Sequence, residues 1–206
     1  MSQALSEHPA VANTSIAPEE FFRVQIYRLL ARFLSGPPTT ADLGAAAMLE
    51  CDESALGRAF SRFARLARHA HPDVVKQEYQ ELFIGLGRGE LVPYESYYLT
   101  GFLQEKPLAK LRHDMELLGL ARAAEVRDPE DHIASLCEMM AGLIEGRFGP
   151  PLPLPEQKWF FDAHLGCWAG YFFRDLEAAK SSMLYSALGS AARSFLEIEE
   201  GAFALI

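Results

Sequence analysis

Apolar residues in this chain recur every three or four positions, and no segment alternates apolar and polar residues in the manner of a strand. That periodicity restricts the fold to packed helices. Phe21, Phe22, Val24, Leu29, Leu30, Phe33 and Leu34 form one broad stripe. Pro18-Glu19-Glu20 opens it, with the acids suiting a positive helix start, and Gly36-Pro37-Pro38 closes it. Short helices are predicted at Thr40–Leu49 and Ala55–Ala70, the second carrying Leu56, Phe60, Phe63 and Ala67. Asp73 is placed to cap the next, which runs through Glu78, Tyr79, Leu82 and Phe83. Further helices are predicted at Tyr97–Leu103, Leu108–Leu118, Glu130–Arg147, Glu156–Leu165, Trp168–Ala178 and Leu184–Ile198. The expectation is an all-α fold. It consists of a single compact helical domain of nine to ten helices over residues 19–206, preceded by a flexible tail over 1–18. Phe148-Gly149-Pro150-Pro151-Leu152-Pro153-Leu154-Pro155 is the one clear linker, extended and semi-rigid, and reads as a hinge near 148–155.

Charge narrows the partners. Nineteen Lys and Arg against 28 Asp and Glu leave a net charge of −9. A general nucleic-acid binder would present clustered positive charge to phosphates, so no nucleic acid is expected. The acidic excess is compatible with a cationic partner. Every apolar stretch is broken well short of the roughly 18 residues a membrane span needs. Met1 to Pro18 has neither a basic n-region nor an apolar h-region, so a secretory signal is not expected. Cys51, Cys137 and Cys167 are odd in number and far apart, which suggests neither disulfides nor zinc and fits small buried thiols in a reducing compartment.

Catalytic signatures are missing. There is no His-Glu-x-x-His, no Gly-x-Ser-x-Gly and no Glu-x-x-His pair, and the histidines are scattered. The glycine-rich loop Gly85–Gly89 lacks both the preceding strand of a dinucleotide fingerprint and the Gly-Lys-Ser/Thr ending of a P-loop. Trp159, Phe160, Phe161, Trp168, Tyr171, Phe172 and Phe173 recur at helical spacing and are expected to be mostly core. Two segments stand out. One is Glu78-Tyr79-Gln80-Glu81-Leu82-Phe83 with Pro93-Tyr94-Glu95-Ser96-Tyr97-Tyr98, and the other is Asp128-Pro129-Glu130-Asp131-His132-Ile133. Capping accounts for most of the second: Asp128 as N-cap, Pro129 in the first helical position, Glu130 and Asp131 complementing the dipole. His132 has no such explanation.

Taken in order, Glu78…Leu82-Phe83-Ile84-Gly85…Pro93-Tyr94-Glu95-Ser96, Pro129-Glu130-Asp131-His132-Ile133 and His164-Leu165…Trp168…Phe172 resemble the TorD/DmsD/NarJ family of molybdoenzyme maturation chaperones. The resemblance spans roughly Phe21 to Phe195. It departs at Val92, where a second proline is common, and at Cys167, where a proline often precedes the tryptophan.

The resemblance implies an all-helical cytoplasmic protein that is not an enzyme. Such a protein binds the immature catalytic subunit of a molybdenum-containing oxidoreductase, often through its twin-arginine leader, until cofactor insertion is complete. Its implied binding residues are Tyr94, Glu95, Ser96, Glu130, Asp131 and His132. Glu78, Phe83, Pro93, His164 and Trp168 are supporting residues, with Glu78 orienting the loop and Trp168 packing. A leader has a cationic motif followed by an apolar segment, so its receptor needs an acidic rim beside a hydrophobic groove. With Asp128 capping, Asp131 is left to face the leader's positive charge. No cofactor is expected, beyond weak guanine-nucleotide binding of the kind discussed for some relatives, at Gly85–Gly89. The chain is expected to be a monomer that can exchange its post-hinge helices in a domain-swapped dimer. Two other readings remain: a nucleotide-dependent factor or small hydrolase, and a helical adaptor that has lost leader binding.

Overall fold

The computed structural model describes residues 16–85, 88–122 and 128–206. The greater part of the predicted tail, residues 1–15, lies outside them, as do Leu86 and Gly87 of the glycine loop.

Pro18 and the acids behind it start α1 (Pro18–Leu34), whose buried face carries Val24, Tyr27, Leu30, Phe33 and Leu34. A capping box between Thr39 and Asp42 opens α2 (Thr40–Ala47), and the Ser54 hydroxyl caps α3 (Ala55–His69). Then follow α4 (Pro72–Tyr79), α5 (Glu95–Thr100), α6 (Lys106–Leu117), α7 (Ile133–Glu145), α8 (Leu154–His164), α9 (Ala169–Glu177) and α10 (Met183–Phe203). The described residues thus form ten helices and no strand, in one domain. Asp73 does not cap α4. His71 is the N-cap, without a side-chain bond, and Pro72 takes the first helical position, which places Asp73 inside the first turn. The helix also does not run on regularly to Phe83. Gln80–Ile84 widens into a π turn, and the Gly85 N–H donates to the Gln80 carbonyl at 2.7 Å.

Helix α1 packs on α7, and α10 packs on both α3 and α9. Elements from both sides of the proline segment therefore share one core. Of the aromatic stripe, Phe160, Phe161, Trp168, Phe172 and Phe173 are buried, while Trp159 and Tyr171 face solvent. Cys137 is buried, but Cys167 is exposed, contrary to the expectation for the thiols.

Two features hold the halves together. A polar clasp joins α1 to α8 and α10: Arg23 donates to both Glu199 oxygens (2.7 and 2.8 Å) and to Gln157 Oε1 (2.6 Å). The Tyr27 hydroxyl adds a bond to Glu199 at 2.9 Å, and Gln157 Nε2 donates to Glu20. The proline segment is anchored as well. Gly146, at φ +80°, ends α7, the Arg147 N–H donates to the Gly142 carbonyl, and the Leu152 N–H donates to the Leu143 carbonyl. The linker of the sequence reading is thus a pinned connector.

Candidate functional site

The two unusual segments meet. Tyr94 and His132 form an antiparallel bridge, flanked by Glu95 N–H to the Asp131 carbonyl (3.0 Å) and Ile133 N–H to the Pro93 carbonyl (2.9 Å). Drawn into this pairing, residues 129–132 cannot be helical, and α7 starts only at Ile133. That corrects the capping expectation. The N-cap is His132, whose Nδ1 accepts the Ala134 N–H at 3.1 Å, and Pro129, Glu130 and Asp131 all precede the helix. Asp128 is exposed and accepts the Tyr94 hydroxyl at 3.2 Å.

Asp131 has another role. Its side chain is fully buried, and Oδ2 accepts both the Ser96 N–H (3.0 Å) and the Ser96 hydroxyl (2.5 Å). Tyr94, the N-cap of α5, makes no side-chain cap bond. Asp131 supplies that cap from across the bridge, so it is not the exposed rim charge expected from the sequence. Beneath it, Glu95 is buried with Oε2 3.5 Å from His164 Nδ1, and His164 Nε2 lies 2.9 Å from Asp114 Oδ2. Trp168 Nε1 donates to the His164 carbonyl, so the tryptophan is packing, as expected. The Phe83 ring packs at a tilt against Tyr79 and edge-to-face against Tyr185. Glu78 accepts the Ser182 hydroxyl at the start of α10, while Glu90 ties the loop to Lys180 and Ser181.

Above this hub lies an open groove of about 650 Å³. Ala31, Met115, Leu120, Ala134 and Met139 give it an apolar lining, and Asp128, Glu130 and Glu138 add carboxylates. Arginines of the chain balance Glu130 and Glu138. Arg112 donates to Glu130 Oε2 (2.8 and 3.1 Å), Arg122 stands 3.8 Å from Oε1, and Arg147 pairs with Glu138 at 3.3 Å. Burial alone would raise the Glu130 pKa, but the Arg112 hydrogen bonds, with Arg122 beside them, hold it below the usual carboxylate range.

The sequence reading named six binding residues, and the fold brings all six together. Only Glu130 and His132 line the groove; Glu95, Ser96 and Asp131 are buried in the hub, and Tyr94 is bridged to His132 outside the groove lining. Sequence reasoning missed Asp114, Arg112, Arg122 and Glu138. Asp114 alone left a signal, as a carboxylate three residues after Leu111 on the apolar face of α6.

The profile of the family described as nitrate reductase delta subunit matches residues 49–174, more than half of the 206. The chain belongs to this family. The three motif segments that resemble the TorD/DmsD/NarJ family all fall within the matched residues. The chaperone protein TorD of Vibrio cholerae serotype O1 is 28% identical over 127 residues, 58% of each chain. That of Aliivibrio salmonicida is 26% identical over 130 residues, covering 59% of this chain and 60% of its own. The chain thus spans about 58% of the length of the first curated relatives it matches, and these relatives are named chaperones rather than enzymes. A solved structure of a putative redox enzyme maturation protein from Archaeoglobus fulgidus superposes with a TM-score of 0.61 at 23% identity. It covers 90% of this chain and 99% of its own, and speaks for the fold.

His132 makes the hub sensitive to acid. Burial lowers its pKa from 6.5 to about 4, although Asp128 and Asp131 oppose the shift. A folded pKa below the unfolded one means that the unfolded chain binds the proton more readily. Stability from this group is therefore complete above pH 6.5 and declines as the pH falls toward 4, by on the order of 3 kcal/mol in all. Protonation of Nδ1 would also break its bond from the Ala134 N–H. Urea denaturation from pH 7 to 4 should show this loss in the wild type and a flatter profile in His132→Gln. Parallel profiles would count against it.

Proposed function

We propose that this protein is a maturation chaperone for a molybdenum-containing oxidoreductase and holds the immature catalytic subunit by its twin-arginine leader. Family membership supports the chaperone part of the reading. The observation that carries the leader part is the groove beside the Tyr94–His132 bridge, lined by apolar side chains together with Asp128, Glu130 and Glu138. A leader with two arginines ahead of an apolar segment matches both surfaces. The apolar part would supply affinity by area removed from water, and the carboxylates orientation and encounter rate. The client would be bound in the cytoplasm, before export; among the described residues no helix is long and apolar enough to cross a membrane. No step of this function requires chemistry from the chaperone.

Titration calorimetry of the full chain with a synthetic leader peptide tests the reading. Binding should weaken with added salt and fall at least tenfold when both arginines become glutamine. Equal binding of the two peptides would overturn it. Recovery of a molybdoenzyme catalytic subunit on the immobilised chain, displaced by the same peptide, would identify the client.

A further inference from the structure

We propose that Glu138 and Met139 of α7, with the buried Gly142 beneath the Phe148 ring, form a distinct subsite for an arginine followed by an apolar residue, and that Arg147 and Phe148 occupy it as an internal stand-in. The inference rests on the leader reading and deepens it.

The occupant reveals the chemistry. Arg147 donates from its guanidinium to Glu138 Oε2 at 3.3 Å, and its Cζ lies 5.9 Å from the centre of the Phe148 ring. That ring lies directly over Gly142, where an added Cβ would come within 2.2 Å of Phe148 Cε2. An arginine with the next residue apolar is the order of groups that a leader presents. All of Glu138, Met139, Arg147 and Phe148 line the same groove as Glu130 and His132.

The stand-in is built to be exchanged. The side chains of Arg147 and Glu138 are 59% and 48% exposed, so their pairing is weakly held. Phe148 is also half-exposed. The backbone here is fixed independently, by the Arg147 N–H on the Gly142 carbonyl and the Leu152 N–H on the Leu143 carbonyl. Both side chains can therefore leave without unravelling the connector. Glu130 differs: it is buried and already has arginines on both oxygens. Of the two groove carboxylates that hold arginines, Glu138 is the one whose partner a guanidinium from solution can replace.

Fluorescence anisotropy of a labelled peptide with two arginines followed by apolar residues tests this on full-length variants, each checked for helicity by circular dichroism. Arg147→Ala should bind about two- to fivefold tighter than wild type, the range expected for release of one exposed ion pair. Arg147→Ala/Phe148→Ala should bind about tenfold tighter. Adding Glu138→Gln to that double variant should cancel most of the gain, and Gly142→Ala, which fills the ring's seat, should reduce it. If wild type and double variant bind equally, or the double variant binds more weakly, the subsite is refuted while leader recognition stands. If no variant binds the peptide, leader recognition itself fails and the subsite with it.

Discussion

Asp131→Ala should cost about 3 kcal/mol of stability, because the buried Ser96 N–H and hydroxyl lose a charged acceptor together. For a chain of 206 residues that corresponds to a fall in Tm of roughly 6–12 °C. Asp131→Asn keeps one acceptor oxygen and should cost about half as much. The change reaches the groove through the hub, since the Asp131 carbonyl accepts the Glu95 N–H and the next residue forms the bridge to Tyr94. Leader affinity should therefore drop in parallel with melting. An exposed rim charge would behave differently, with slower association and unchanged melting. Stopped-flow binding and thermal denaturation of the same two variants separate these outcomes.

A similarly large effect is expected at the clasp. Glu199 is buried, and Glu199→Ala would strand the Arg23 guanidinium, itself only 15% exposed, without its bidentate partner. Breaking a buried pair from one side costs about 3–5 kcal/mol. Glu145→Ala, which removes the partner of the exposed Arg28, should cost under about 1 kcal/mol. Urea midpoints for the two variants should differ accordingly, with little change in slope. Similar midpoints would mean that the clasp contributes no more than a surface pair. Because Arg23 and Glu199 lie 176 residues apart on opposite sides of the proline segment, the first variant also bears on chain exchange. Light scattering of Glu199→Ala should show more dimer than wild type if that contact closes the monomer.

The helices were legible in the sequence because each buries one face, and the 3.6-residue repeat records that face directly. Boundaries were legible where a local group makes the end, as with the Pro18 start of α1. They were not legible where the terminating force comes from elsewhere in the chain. Asp128-Pro129-Glu130-Asp131 has the composition of a helix start, yet the bridge to Tyr94 delays α7 to Ile133. The same limit applies to the site. Motif resemblance found the residues of the hub, but only tertiary contact separates Asp131, a buried cap, from Glu130, which lines the groove. Arg112, Arg122 and Glu138 sit among many similar surface charges. Nothing in their sequence surroundings marks them until the fold sets them beside the groove.

The bridge between Tyr94 and His132 also turns everything between them into a ring closed at its base, with Ser96 and Asp131 paired across 35 residues of chain. Closing a ring costs entropy that grows only with the logarithm of its length, about 0.6 kcal/mol for each doubling. Insertions or deletions within the ring therefore cost the junction little. The distance in space between the two halves of the site is fixed by hydrogen bonds, while their distance along the chain is free to drift. Descendants of this fold can lengthen the chain between Arg122 and Asp128 and still present the groove that Met115, Leu120 and Arg122 line from within the ring.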